Sequence, residues 1–362
     1  MTSSLVRRAS AGLGTDAARL ATAAALAGLA ALALSPLAGL GRAALAGLSA
    51  GWLFAAGCAA GGLAFAAAIR VTGGRWAGGV LPLADASAAF FGPALVLLVA
   101  VSLGSAALAR EASGQGAGHA AAVALRDVAA TAVLFLAGRR FLGRVRRGDA
   151  PRRVGRAGVA YLALYALVLT LWVIDLVFRL GEGPAYTVLP PFYFLGAFLS
   201  GVAWVGLLSA LRGSASEDVR HDLGKLLFGL LVVWTYLLWS LFLPTWYANV
   251  PEESAALLLR WHGPWRPMSI AVLVLVSVGP FWLLFGEPLK RRRATLATGA
   301  AAVLVGLLGE RFLLVVPAAD APGGGAGVAL GALVACGVAG AFLLWVGGAL
   351  EPAGRDGGTH RA

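Results

Sequence analysis

Only 13% of this 362-residue chain is charged, so the ionisable side chains that fall within or beside long apolar runs stand out. They are Asp85, His119, Arg126, Asp127, Asp175, Arg179, Asp222, Lys225, Glu310 and Arg311. Charged groups in hydrocarbon are costly and most often mark ion or proton routes. Acids near both ends of such a route, bridged by water and hydroxyls, can pass a proton, and the Tyr236 phenol is a candidate bridge. His119 with Asp127 forms a second constellation, because an imidazole titrates near neutrality and can take up a proton at the membrane surface.

Each group also has a purely structural reading. Asp222 and Lys225, spaced i, i+3, share a helix face and can pair. Asp175 has Arg179 at i+4. Glu310 and Arg311 are adjacent and point about 100° apart around a helix, so each is expected to find a partner on another helix. Cys58 and Cys336 lie in separate apolar runs without a C-x-x-C or haem-attachment spacing, and read as small packing residues. His221, His262 and His360 fall in loops or the tail, so no two histidines have the span spacing that ligates haem or metal in a bilayer. Asp218-x-x-x-Asp222 lacks the second acidic cluster that a magnesium–diphosphate site needs. The expectation is a chain without a redox centre, metal or covalent cofactor of its own.

The elements that must position these residues are membrane helices. Apolar residues make up 59% of the chain and 50 residues are Gly, against roughly 45–50% for both together in soluble domains. A soluble globule and a disordered chain are both excluded. Runs of about 20 apolar residues, enough to cross a bilayer, fall near 17–38, 46–69, 80–104, 120–138, 157–180, 188–211, 223–245, 266–286, 294–317 and 326–350. The connections are too short for a separate soluble domain, so residues 1–362 read as one all-α membrane domain of ten spans. The first run is longer than a secretory signal core and lacks a clear cleavage site, so it reads as a helix. Pro190-Pro191, Pro244 and Pro280 are expected to kink or break the sixth, seventh and eighth spans.

With the N-terminus in the cytoplasm, ten spans place 22 of the 29 Lys and Arg on the cytoplasmic side. That asymmetry is what the positive-inside rule demands, and it puts both termini in the cytoplasm. It also accounts for the net charge of +12 through topology and anionic lipid rather than nucleic acid. Trp76, Trp246, Trp261 and Trp265 fall at span ends, as interfacial anchors do. The ionisable groups then form two layers, Asp85, Asp222 and Lys225 inside, and His119, Asp127, Asp175 and Glu310 toward the outside, separated by an apolar middle.

Residues 221–253, HDLGKLLFGLLVVWTYLLWSLFLPTWYANVPEE, carry a more specific pattern. The D-L-G-K start, the W-x-Y in mid-helix and the W-Y-A-N-V-P-E-E exit resemble the second NrfD/polysulfide-reductase-like membrane subunit of alternative complex III, a quinol:cytochrome c oxidoreductase. Asp175 followed by YTVLPPFYFLGAFLSG is similar to the same family. The matched positions are Asp175, Asp222, Lys225, Trp234, Tyr236, Trp246, Tyr247, Asn249, Pro251, Glu252 and Glu253. The family's S-Q before the exit motif is Ser240-Leu241 here, and its E-P-H-W after the aspartate is a segment around Gly181-Glu182-Gly183-Pro184. The resemblance implies two four-helix bundles with flanking first and last helices, in the bacterial inner membrane. It implies a respiratory complex whose partners are a homologous membrane subunit with the main quinol site, an iron–sulfur subunit and c-type cytochromes. A proton pathway through Asp85, Asp175, Asp222, Lys225, Tyr236 and Glu310 is the expected contribution of this chain, with His119 and Asp127 as candidate quinol-side groups and quinone the one cofactor left open. The alternative is a free-standing secondary transporter, which requires broken spans in corresponding positions of two halves and a polar site at mid-depth.

Overall fold

The computed structural model describes residues 2–113, 117–178, 187–248, 250, 254, 258–261, 263–317 and 324–350. Ten of its helices are long and apolar enough to cross a membrane: Thr15–Leu34, Gly41–Thr72, Leu81–Ser105, Gly118–Arg146, Pro151–Val177, Leu189–Arg212, Glu217–Ala248, Gly263–Phe285, Arg293–Val315 and Gly324–Ala349. Each coincides with one expected run, and no strand occurs among the described residues. The expected all-helical membrane architecture is the one observed. Asn249, Pro251, Glu252, Glu253, Arg179 and the 181–184 segment lie outside the described residues.

The second to fifth spans close one four-helix bundle and the sixth to ninth close another. The first and tenth spans pack on each other, and the tenth also lies along the second. The second span is buried over nearly its whole length, and it joins the bundles by packing on the sixth and ninth spans as well as its own. A short helix, Thr2–Leu13, precedes the first span and was not expected from hydropathy. It lies against the tenth span, and Gly12 O accepts a 2.6 Å hydrogen bond from Arg212 at the end of the sixth.

Small side chains explain how so many helices meet. Lipid tails are as apolar as leucine, so membrane helices associate through close contact rather than hydrophobic expulsion. Gly61 and Gly62 of the second span meet Gly201 of the sixth so closely that a methyl on Gly201 would overlap the Gly61–Gly62 peptide. Gly28 and Gly337 bring the first and tenth spans together in the same way. Aromatic donors then fasten to carbonyls of the second span: Tyr161 Oη to Ala60 O at 2.9 Å and Tyr193 Oη to Leu53 O at 2.9 Å.

The prolines behave in three ways. Pro190 and Pro191 start the sixth span instead of breaking it, because the first helical turn has no intrahelical use for the missing N–H. Pro244 lies inside the seventh helix near its end. Pro280 follows a π segment, Val274–Val278, that interrupts the eighth span, as expected where proline removes a backbone donor.

Gly201→Ala is expected to cost about 1–3 kcal/mol through overpacking, seen as a lower thermal unfolding midpoint in detergent. Gly229→Ala, whose added methyl meets nothing, is expected not to lower that midpoint.

Candidate functional site

The two ionic layers are present, and most of their members are paired. At the end of the molecule that carries the basic loops, the Arg70 fork donates to both oxygens of Asp85, at 2.8 and 2.7 Å. Arg70 ends the second span and also lies over the Phe141 ring of the fourth, 5.7 Å away, so this bidentate pair ties three helices. Asp222 and Lys225 pair at 3.0 Å as their spacing required, on a partly exposed surface. Beside them Arg291 contacts Asp218 at 3.1 Å and Glu287 at 3.2 Å, and these two acids favour its charged form. His221 lies 3.9 Å from Glu287. Pairs this exposed stabilise weakly; those of Arg291 with Asp218 and of His221 with Glu287 join the short helix Glu287–Arg291 to the seventh span.

Toward the other end, the fifth span finishes in a π segment, Val173–Phe178, that carries Asp175. Single π turns inside α-helices often occur at functional sites. Asp175 is buried, and its carboxylate accepts from Arg126 of the fourth span. Arg126 is thus a partner that the spacing along the fifth span did not suggest; Arg179 lies outside the described residues. The Arg126 Nε lies 3.8 Å from Asp127, also buried, so one half-exposed guanidinium serves two acids. Trp172, one residue before the π segment, donates to Thr131 Oγ1 at 2.9 Å and packs edge-on against Trp52 at 4.6 Å. His119 is exposed and, eight residues away, sits about 12 Å along the helix from Asp127. The anticipated His119–Asp127 pair does not form, because eight residues is more than two turns of helix and only one of the two side chains faces the bundle.

The deepest ionic group is Glu310–Arg311 on the ninth span, with both residues nearly inaccessible. Glu310 Oε2 lies 2.5 Å from Arg311 Nη1, a pairing within the span, while Arg311 also finds the expected partner on another helix, Tyr193 of the sixth. Long flexible side chains overcome a 100° difference in starting direction where burial makes an unpaired charge costly. Arg311 donates to Tyr193 O at 3.1 Å and stacks over the Tyr193 ring at 4.1 Å. Gly196 leaves the room: a Cβ there would lie 2.7 Å from Arg311 Nη2 and 3.5 Å from Trp234 Nε1. The second, sixth, seventh and ninth spans thus converge on one buried polar centre, in which the Trp234 N–H has no acceptor among the described residues. The ninth span also touches the π segment of Asp175, so the two buried acids stand on neighbouring elements.

Tyr236 is not in this interior. It is 65% exposed on the outer side of the seventh span, whose inward stripe is Leu223, Leu227, Leu231 and Trp234. Two residues of helix rotate a side chain by about 200°, so Trp234 inside sets Tyr236 outside. The mid-depth hydroxyl pair inside the second bundle is instead Thr235 with Ser277 of the π segment, at 2.8 Å. Trp246 and Tyr247 are exposed at the end of the same span.

Residues 184–321 match the family model described as polysulphide reductase, NrfD. The match begins just before the sixth span and ends just after the ninth, so it contains the whole second bundle with Glu310, Arg311, Tyr193, Gly196 and Trp234. The second bundle is NrfD-like. No curated protein matches the chain. Among the described residues no group of three or more His, Cys, Asp or Glu is arranged to hold a metal.

Sequence reasoning found the acids of this NrfD-like bundle and of its companion, and the local Asp222–Lys225 pair, but missed the partners that come from other helices. Arg70 and Arg126 were visible only as basic residues near span ends, and Tyr193 and Gly196 as ordinary helix residues. Arg311→Ala is expected to destabilise the protein by about 3–5 kcal/mol, since it strands a buried carboxylate. Adding Glu310→Gln should recover part of that loss. Detergent unfolding of the two variants checks both expectations.

Proposed function

We propose that this chain is a membrane subunit of a quinone-interacting oxidoreductase complex of the alternative complex III type. The observation that carries the reading is the NrfD match over an entire four-helix bundle, together with the D-L-G-K and W-Y-A-N-V-P-E-E motifs that bound its seventh span. In this reading the chain holds no redox centre and acts beside iron–sulfur and c-type cytochrome subunits in a bacterial cytoplasmic membrane. His119 and Asp127 do not converge; in this reading quinol oxidation is the work of the homologous membrane subunit.

The chain's own contribution is proton handling between Asp175 and Glu310 on one side and Asp222 and Lys225 on the other. The burial of both Asp175 and Glu310 next to arginines supports this, as does the Thr235–Ser277 hydroxyl pair. A water file must complete the path past the leucines between Lys225 and Thr235, since about 15 Å of helix rise separates them. Asp85, locked by the Arg70 fork, is a structural residue in this scheme. The transporter alternative draws no support from the two π segments. They fall in the fourth helix of one bundle and the third of the other, not in corresponding positions.

Purification of the tagged chain from its native membrane in mild detergent tests the assignment. Stoichiometric c-type haem, reducible by a quinol, is the expected result; a colourless single polypeptide would overturn it. Within the purified complex, Asp175→Asn should slow proton-coupled turnover by roughly 10²-fold or more, the scale of a lost acid–base group, while haem content stays unchanged. Lost assembly in that variant would assign Asp175 a structural role instead.

A further inference from the structure

Between Lys225 and Trp246 the seventh span has 20 consecutive uncharged residues, Leu226 to Thr245. At 1.5 Å per residue these measure about 30 Å, the thickness of the hydrocarbon core. Tyr236 is the eleventh of the 20, which puts its phenol at the centre of the bilayer. It is 65% exposed, and its hydroxyl has no hydrogen-bond partner among the described residues. Trp239, one turn along, is 54% exposed and its indole N–H is likewise without an acceptor there. The other hydroxyls of this stretch are satisfied by the helix itself, Thr235 on Leu231 O, Ser240 on Tyr236 O and Thr245 on Leu241 O. Two donors therefore point outward at a depth where lipid offers no acceptor and no water is at hand. The distance to either interface, about 15 Å, is too great for a tyrosine to snorkel.

These two residues belong to a regular stripe. Val232, Tyr236, Trp239, Leu243 and Trp246 are all exposed and succeed one another at intervals of 4, 3, 4 and 3. That is the alternation of a helix-packing seam, which left-handed membrane helix pairs use at shallow crossing angles. The Phe242 ring beside the seam stacks with Trp239 at 5.7 Å and with Trp246 at 6.5 Å.

We propose that this face of the seventh span is an interface for a transmembrane helix of another subunit, which presents a hydrogen-bond acceptor to Tyr236 and Trp239 at the bilayer centre. The acceptor is a side-chain amide, a hydroxyl or a carbonyl left free by a break in that helix, flanked by small residues that admit the two rings. The complementarity is electrostatic: two outward N–H and O–H dipoles in hydrocarbon require an inward lone pair. The inference rests on the functional reading only in placing the chain within a membrane complex.

The test places a photo-crosslinking phenylalanine analogue at Val232 and, separately, at Leu243, leaving both donors intact, and irradiates native membranes before purification. The expected result is an adduct at both positions with the same membrane-spanning polypeptide, distinct from this chain and identified by mass spectrometry. Tyr236→Phe, which keeps the ring and removes only the hydroxyl, should lower recovery of that polypeptide with the complex by ~3-fold or more in stringent detergent, the scale of a single hydrogen bond between membrane helices. The amount of this chain in the membrane should not change. Adducts with lipid only, with a second copy of this chain or with a water-soluble subunit would overturn the inference, as would unaltered recovery from Tyr236→Phe. Haem is measured in the same preparations. Its presence alongside lipid-only adducts refutes the interface and leaves the functional reading standing, whereas a colourless eluate refutes that reading.

Discussion

Hydrocarbon supplies neither donors nor acceptors, so a polar group inside this molecule can find a partner only within it. Much of the interior follows from that constraint. Tyr161 and Tyr193 donate to carbonyls of the second span, Trp52 to Ala94 O and Trp172 to Thr131. These bonds link the second span to the third, fifth and sixth, and the fifth to the fourth. Cross-helix bonds of this kind contribute modestly one by one, but each also fixes the rotation of a helix about its axis. That rotation decides which residues face the interior and which face outward.

Charges obey the same constraint with higher stakes. Arg126 serves Asp175 and Asp127, and Arg311 serves Glu310 while lying on the Tyr193 ring. In each case one arginine reaches across or along a helix to a buried acid, and its delocalised, weakly hydrated guanidinium suits that setting better than an ammonium. The glycine at 196 is part of the second site, because any side chain there would occupy the space of the guanidinium. The first bundle and the NrfD-like second bundle thus each hold one buried ionic centre, and the two centres lie on elements that touch.

The seventh span shows how one helix serves two environments. Its inward stripe packs Trp234 against Phe192 at 5.2 Å beside the buried ion pair, while its outward stripe carries, near the same depth, aromatic donors without a partner among the described residues. Trp234 and Tyr236 are two residues apart and would look interchangeable as aromatic polar groups in an apolar run. A rotation of about 200° separates their roles.

The number, length and even count of the spans were legible in the sequence, since hydropathy over 20 residues answers only to bilayer thickness. The positions of the acids and the local Asp222–Lys225 pair were legible for a similar reason: helix spacing alone brings i and i+3 together. The grouping into two bundles was carried by resemblance rather than by composition. Four features were decided by tertiary structure: Arg126 as a partner of Asp175, the closure of Glu310 on Arg311, the isolation of His119 from Asp127 and the outward turn of Tyr236. All four depend on how a helix is rotated about its axis and on what stands across from it. That rotation is set by glycine contacts and aromatic hydrogen bonds between segments far apart in the chain, such as Gly61 with Gly201 and Tyr193 with Leu53. Hydropathy is nearly uniform around these helices, so the sequence of a single span carries little record of which side faces its neighbours.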